Sequence, residues 1–253
     1  MTIDYSRCAS DAPIGAENAG TIPSSNVHYT FKTKDKTTEP QWWRQNITET
    51  LNPGVEKDDV TVCTLLFEIP DDLGPSVFLY YRLSNFYQNH RRYVKSLNLD
   101  QLKGKAVSNG TIKGGECDPL RVADNGKAYF PCGLIANSKF NDTFASPVHV
   151  GGSGENTTYY MTNKGISWGS DHNLYKPTEY KWYEVMPPPN WHEKYPNNYT
   201  EDNPPPNLQE DEEFQVWMRT AGLPTFSKLA LRNDNETMKA GTYQLNITHR
   251  MSI

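Results

Sequence analysis

The chain has 253 residues, and its 30 acidic and 25 basic side chains give a formal net charge of −5. A mean hydropathy of −0.74 and the lack of any apolar run near 18 residues exclude a membrane span within the chain, and no charged-then-apolar leader opens it. The acidic balance argues against a nucleic-acid binder, and 15 Tyr with 6 Trp argue against wholesale disorder.

Strand-like stretches dominate in chain order. Val60 to Ile69 is β-branched and apolar and stops at Pro70-Asp71-Asp72. Val77 to Leu83 alternates Val77, Leu79, Tyr81 and Leu83 against Phe78, Tyr80 and Arg82. A polar and aromatic segment follows from Asn85 to Ser96, with Ser84 placed to cap a short helix. Gly151-Gly152-Ser153-Gly154 reads as a loop tip, while Thr157 to Thr162 and Glu179 to Val185 read as strands. Pro187-Pro188-Pro189 with Trp191 and Tyr195, then Pro204-Pro205-Pro206, reads as extended chain pinned by aromatics.

Asn207 with Glu210 three residues on predicts a helix start, and the acidic run Glu210 to Glu213 suits its positive end. Phe214, Trp217, Met218 and Ala221 then form an apolar stripe, with Arg219 in the last turn, Gly222 as the terminator and Pro224 beyond. In the last strand, Thr242 to His249, the residues Tyr243, Leu245 and Ile247 share one face and Asn246 takes the other. The pattern predicts one domain over residues 1–253. It is mainly β, an antiparallel sandwich-like fold with a few short helices and long loops.

Cys8, Cys63, Cys117 and Cys132 form no C-x-x-C pair and permit three disulfide connectivities. Sequential pairing is preferred; the second bridge would close a short loop containing Gly126 and Pro131. Seven N-x-[ST] sequons occur, at Asn46, Asn109, Asn141, Asn156, Asn198, Asn235 and Asn246. Chance gives roughly three for this composition. Cysteines and sequons together favour an extracellular or lumenal disulfide-bonded glycoprotein.

Catalytic signatures fail on inspection. His192-Glu193 begins like a zincin helix, but Pro196 stands where the second ligand belongs. Glu155 replaces the closing glycine of a nucleophile elbow, and no Walker loop or dinucleotide fingerprint occurs. No catalytic residue, metal site or cofactor is expected. The abundant aromatics and carboxylates leave a secreted carbohydrate-binding or carbohydrate-active protein as the alternative, with a free-standing adhesion sandwich as a further rival. The most unusual local sequence is N-F-Y-Q-N-H-R-R-Y-V-K-S. There His90, Arg91, Arg92 and Tyr93 form a cationic, aromatic-flanked patch suited to phosphate or carboxylate groups. Taken alone, such clusters are more often solvated surface whose stems pack on tyrosine.

Leu79 to Ser96 (L-Y-Y-R-L-S-N-F-Y-Q-N-H-R-R-Y-V-K-S) resembles the signature of the cell division control protein 50 family, in its fungal type. The likeness continues at Pro131 to Phe144, Asn163 to Trp168, Phe214 to Leu229 and Gly241 to Thr248. Its members are non-catalytic accessory subunits of type IV P-type ATPases, the phospholipid flippases. The resemblance implies an ATPase partner that needs the subunit for folding, exit from the endoplasmic reticulum and activity. It also implies contact with phospholipid headgroups and residence in the endoplasmic reticulum, Golgi, endosomes or plasma membrane.

It further implies a largely antiparallel β exoplasmic domain, normally flanked by two membrane helices that are absent here. The family pairing matches Cys8 with Cys63 and Cys117 with Cys132, and Asn141 is the acceptor inside a family block. The longest sequon-free interval, Ile47 to Ser108, contains the Arg91-Arg92 patch. A docking face must be free of glycans, so this interval is expected to supply much of the partner-facing surface.

Overall fold

Trp42, Leu65 and Leu245 lie side by side across three antiparallel strands and form one row of the core. The structure is a computed structural model that describes residues 1–33, 38–52, 55–151 and 155–250. Its strands are β1 (Thr2–Ile3), β2 (Gly20–Thr21), β3 (Val27–His28), β4 (Gln41–Asn52), β5 (Val55–Ile69), β6 (Val77–Leu83), β7 (Ala128–Tyr129), β8 (Thr143–Phe144), β9 (Val148–Val150), β10 (Thr157–Thr158), β11 (Val185–Met186), β12 (Phe226–Asn233) and β13 (Gly241–His249). The helices are short: α1 (Cys8–Asp11), α2 (Arg91–Lys95), α3 (Leu99–Leu102), α4 (Asn109–Gly114), α5 (Leu134–Asn137), α6 (Gly169–His172) and α7 (Glu212–Met218).

The chain divides into two compact units. One comprises Met1–Leu79, Asn141–Thr162 and Leu231–Ile253, the other Tyr80–Phe140 and Asn163–Ala230. The first is built on a sheet of order β10-β9-β13-β5-β4-β2, with β8 beside β13. Its pairings are antiparallel. A period of two places Trp42, Leu65 and Leu245 on the same face as Cys63 and Ile247. Cys8 is bonded to Cys63 from α1, with their Cα atoms 6.1 Å apart. Ala12 and Ile22 complete this cluster, and Leu79 of β6 packs on it. Val77 packs on a second cluster made by Ile69, Tyr159, Met238 and Tyr243. The start of β6 therefore covers the sheet as a second β layer, which agrees with a mainly β, antiparallel reading.

In the second unit, Cys117 is bonded to Cys132 and packs with Ile112 and Ala128. Its β7 and β11 pair in parallel, an exception to the antiparallel rule.

Several local expectations need correction. Glu179 to Val185 is not a strand; only Val185–Met186 is. The Glu184 carboxylate accepts the Lys181 N–H at 2.7 Å and closes a turn in place of a ladder. Of Thr157 to Thr162, only the first two residues form a strand, with an isolated bridge at Thr162. The strand Gln41–Asn52 was not anticipated, because it is polar apart from Trp42, Trp43, Ile47 and Leu51. The loop tip at Gly152-Ser153-Gly154 lies outside the described residues.

Candidate docking surface

His90 is the extended residue that precedes α2, and its side chain makes no capping bond. Ser84 does not cap either, since the helix begins at Arg91 rather than beside it. Among the described residues Arg91 has no ion-pair partner, whereas Arg92 reaches Asp118 at 3.3 Å, and Asp118 is shared with Arg121. Arg92 is thus partly neutralised and Arg91 is not. Tyr93 turns inward: its hydroxyl lies 2.8 Å from Ser138 Oγ, and burial pushes its pKa up. Tyr87, His90, Arg92, Tyr93, Asp118 and Leu134 line a surface depression of about 460 Å³. His90 and Arg92 are exposed there, and so is the neighbouring Arg91.

The segment before α2 is latched to the chain that follows α7. Phe86 donates its N–H to Pro224 O at 3.0 Å, and Asn89 Nδ2 donates to Gly222 O at 3.0 Å. Gln88, fully buried, accepts the Ala221 N–H at 2.9 Å. The Phe86 ring meets Trp217 edge-on, with centroids 5.5 Å apart. Trp217 Nε1 in turn donates to Ile135 O at 2.7 Å. Three of the sequence blocks that carry the resemblance therefore meet in one unit.

The fourth meets them through the acidic start of α7. Burial pushes the Glu212 carboxyl up, but the N–H groups of Ser167 and Gly165 outweigh it, so its pKa lies below the usual range. The residue that caps α7 is Asp211, not Asn207: its Oδ1 accepts the Phe214 N–H at 2.8 Å. Asn207 instead folds a local turn, accepting the Gln209 N–H. The difference arises because Lys139 holds Asp211 at 3.0 Å. Arg219 lies beyond the helix and pairs with Asp171 through two bonds, 2.9 and 2.8 Å long. Its guanidinium carbon lies 4.1 Å from the centre of the exposed Trp168 ring.

Lys228 is buried, and its Nζ donates to Val216 O, Trp217 O and Arg219 O, which closes the end of α7. Desolvation and Arg219 lower its pKa to about 8. Reading α7 as a helix explains Arg219 only as a last-turn cation; its partner Asp171 lies 48 positions earlier, with Trp168 just before it, and neither gives a local signal.

The sequons separate by accessibility. Asn46, Asn109, Asn156 and Asn235 are exposed, while Asn141, Asn198 and Asn246 are half-buried. Asn246 Oδ1 accepts from Thr64 Oγ1 and Gln244 Nε2. Among the described residues no group of three or more His, Cys, Asp or Glu side chains is placed to hold a metal ion, and no helix is long and apolar enough to cross a membrane.

A profile of the LEM3 (ligand-effect modulator 3) family / CDC50 family matches residues 1–252. The phospholipid-transporting ATPase accessory subunit CDC50 of Chaetomium thermophilum is 41% identical, over 100% of this chain and 63% of that protein. The phospholipid-transporting ATPase accessory subunit CRF1 of Saccharomyces cerevisiae is 44% identical, over 98% of this chain and 59% of its own length. Cell cycle control protein 50A of Bos taurus is 42% identical over 76% of this chain and 55% of its own. The chain thus spans about three-fifths of the length of the curated relatives it matches.

Proposed function

The chain belongs to the LEM3/CDC50 family, and from that premise we propose that it is the exoplasmic domain of a non-catalytic accessory subunit of a phospholipid-transporting type IV P-type ATPase. The observation that carries this reading is identity of 41–44% across nearly the whole chain to two proteins bearing that accessory role in their names. Its place is the exoplasmic side of an internal or plasma membrane, and the two disulfides support an oxidising compartment. The four exposed sequon asparagines are the acceptors best placed to carry glycans there.

The surface around α2 is the docking candidate. Arg91 is exposed and has no ion-pair partner among the described residues, so it can meet an acidic group on an exoplasmic loop of the pump, or a headgroup phosphate, without first breaking such a pair. The subunit acts by binding: it stabilises the pump's exoplasmic face by mass action, and binding one pump conformation more tightly biases the transport cycle.

Co-expression of the full-length subunit with a candidate ATPase tests the reading. Stable co-purification and loss of lipid transport when the subunit is depleted are expected. Arg91→Glu should lower the yield of complex while leaving the folded subunit intact. An ATPase that is made, exported and active without the subunit would overturn the reading.

A further inference from the structure

Building on that accessory-subunit reading, we propose a second contact: Trp168 is a preassembled platform for an apolar or aromatic side chain on an exoplasmic loop of the ATPase. Trp168 is 64% exposed, although a tryptophan normally buries most of its large surface. It is nonetheless fixed. The Asp171 N–H donates to Trp168 O at 2.8 Å, so the ring and the carboxylate stand on one helical turn. That carboxylate grips Arg219 with both oxygens, and the Arg219 guanidinium carbon sits over the ring, 4.1 Å from its centre. Asp171 itself is only 15% exposed at its side chain. A ring held in this way loses little freedom when a partner covers its open face, which is what distinguishes an anchoring residue from incidental surface.

The chemistry around the ring selects the occupant. Arg219 and Asp171 pair with each other, and the nearby Glu212 carboxylate is occupied by the Gly165 and Ser167 N–H groups, so no charge beside the ring is left seeking an ionic partner and an uncharged group suits it. A sugar stacked on tryptophan is read by hydrogen-bonding groups at the ring edge, and most of those here are spent internally. Both Asp171 oxygens and the Arg219 Nε and Nη2 bind each other, and His172 Nδ1 is bonded to Gln209 O at 3.0 Å. What remains is an exposed aromatic face whose neighbouring charges are already partnered, suited to an apolar protein side chain.

The test uses the full-length subunit expressed with its ATPase. Trp168→Ala should lower the co-purified ATPase by about tenfold or more, with Trp168→Phe retaining most of it. Protease resistance and both disulfides should be unchanged in each. Placing the photo-crosslinker p-benzoylphenylalanine at Trp168 should yield a crosslink to an exoplasmic loop of the ATPase, located by mass spectrometry. Normal yield from Trp168→Ala overturns the platform. So does a crosslinker silent at Trp168 while the same probe at Arg91 reports the ATPase. Glycan-array binding by the wild type that Trp168→Ala abolishes overturns it in favour of a carbohydrate platform. If wild-type subunit never co-purifies with the ATPase, the accessory reading itself fails and the platform with it.

Discussion

Gln88 and Ala221 are 133 residues apart in sequence, yet the Ala221 N–H donates to Gln88 Oε1 at 2.9 Å inside the second unit. The same side chain offers its Nε2 to the Tyr93 hydroxyl at 3.5 Å, a long contact that adds little. Through this one amide, the approach to the Arg91 helix is tied to the chain that leaves α7.

Replacing Gln88 by Ala should therefore orphan the half-buried Ala221 N–H and open a void where the buried amide stood. A loss of about 1–3 kcal/mol is expected from the unsatisfied donor alone, with further loss from packing. Denaturant unfolding should show a lower midpoint with an unchanged slope.

Gly133 stands at φ +101°, and a Cβ there would lie 2.0 Å from Ser96 O. Ser96 Oγ in turn accepts the Leu134 N–H at 2.9 Å, so the backbone has no room to retreat. Gly133→Ala should lose about 1–3 kcal/mol to backbone strain before the clash is counted, and the yield of folded protein should fall sharply. Gly74→Ala, where a Cβ meets nothing within 4 Å, should change stability by no more than about 0.5 kcal/mol.

Asp211 both caps α7 and pairs with Lys139. Burial raises its carboxyl pKa, but Lys139 and the Phe214 N–H outweigh that, so the folded value is depressed. A depressed carboxylate contributes stability above its unfolded pKa and loses it as pH falls through the folded value. Asp211→Asn keeps the cap and loses the charge, whereas Asp211→Ala loses both. The alanine variant should be less stable than the asparagine variant by about 0.5–2 kcal/mol at neutral pH. The gap between wild type and Asp211→Asn should shrink as the medium is acidified, measured by thermal unfolding across a pH series.

Lys228 gives the opposite slope. Its folded pKa of about 8 lies below the ordinary lysine value of 10.5. Between those two values the unfolded chain binds more protons, so stability rises with pH across that window. Below it both states are charged and the desolvation penalty stands in full. Wild type measured against Lys228→Met should gain relative stability on moving from neutral pH into that window. A flat difference would mean that the three carbonyls around Nζ hold the ammonium at its ordinary pKa.

Local pattern made some of this fold legible. Val77–Leu83 and Gly241–His249 alternate cleanly, and each forms a strand at or next to the expected bounds. Gln41–Asn52 does not alternate; it is a strand because β5 offers it a ladder along its length, with register shifts at Ile47/Glu49 and Thr50/Asn52, and because Trp42 has Leu65 to lie against. The start of α7 shows the same limit. Asn207 and Asp211 are both competent caps, and the choice falls to Asp211, which a lysine 72 residues away holds in place.

By itself the sequence determined the polar, acidic composition, the cysteines and sequons, and the ordered blocks that identify the family, because each is a property of residue type and short spacing. Only the tertiary structure decided that Arg92 is the half of the Arg91-Arg92 pair that meets an acid, since that depends on the distant Asp118. It also decided that Trp168 stays exposed above Arg219, 51 positions further along the chain. Burial and charge pairing depend on which distant segments meet, and no window of sequence contains both partners.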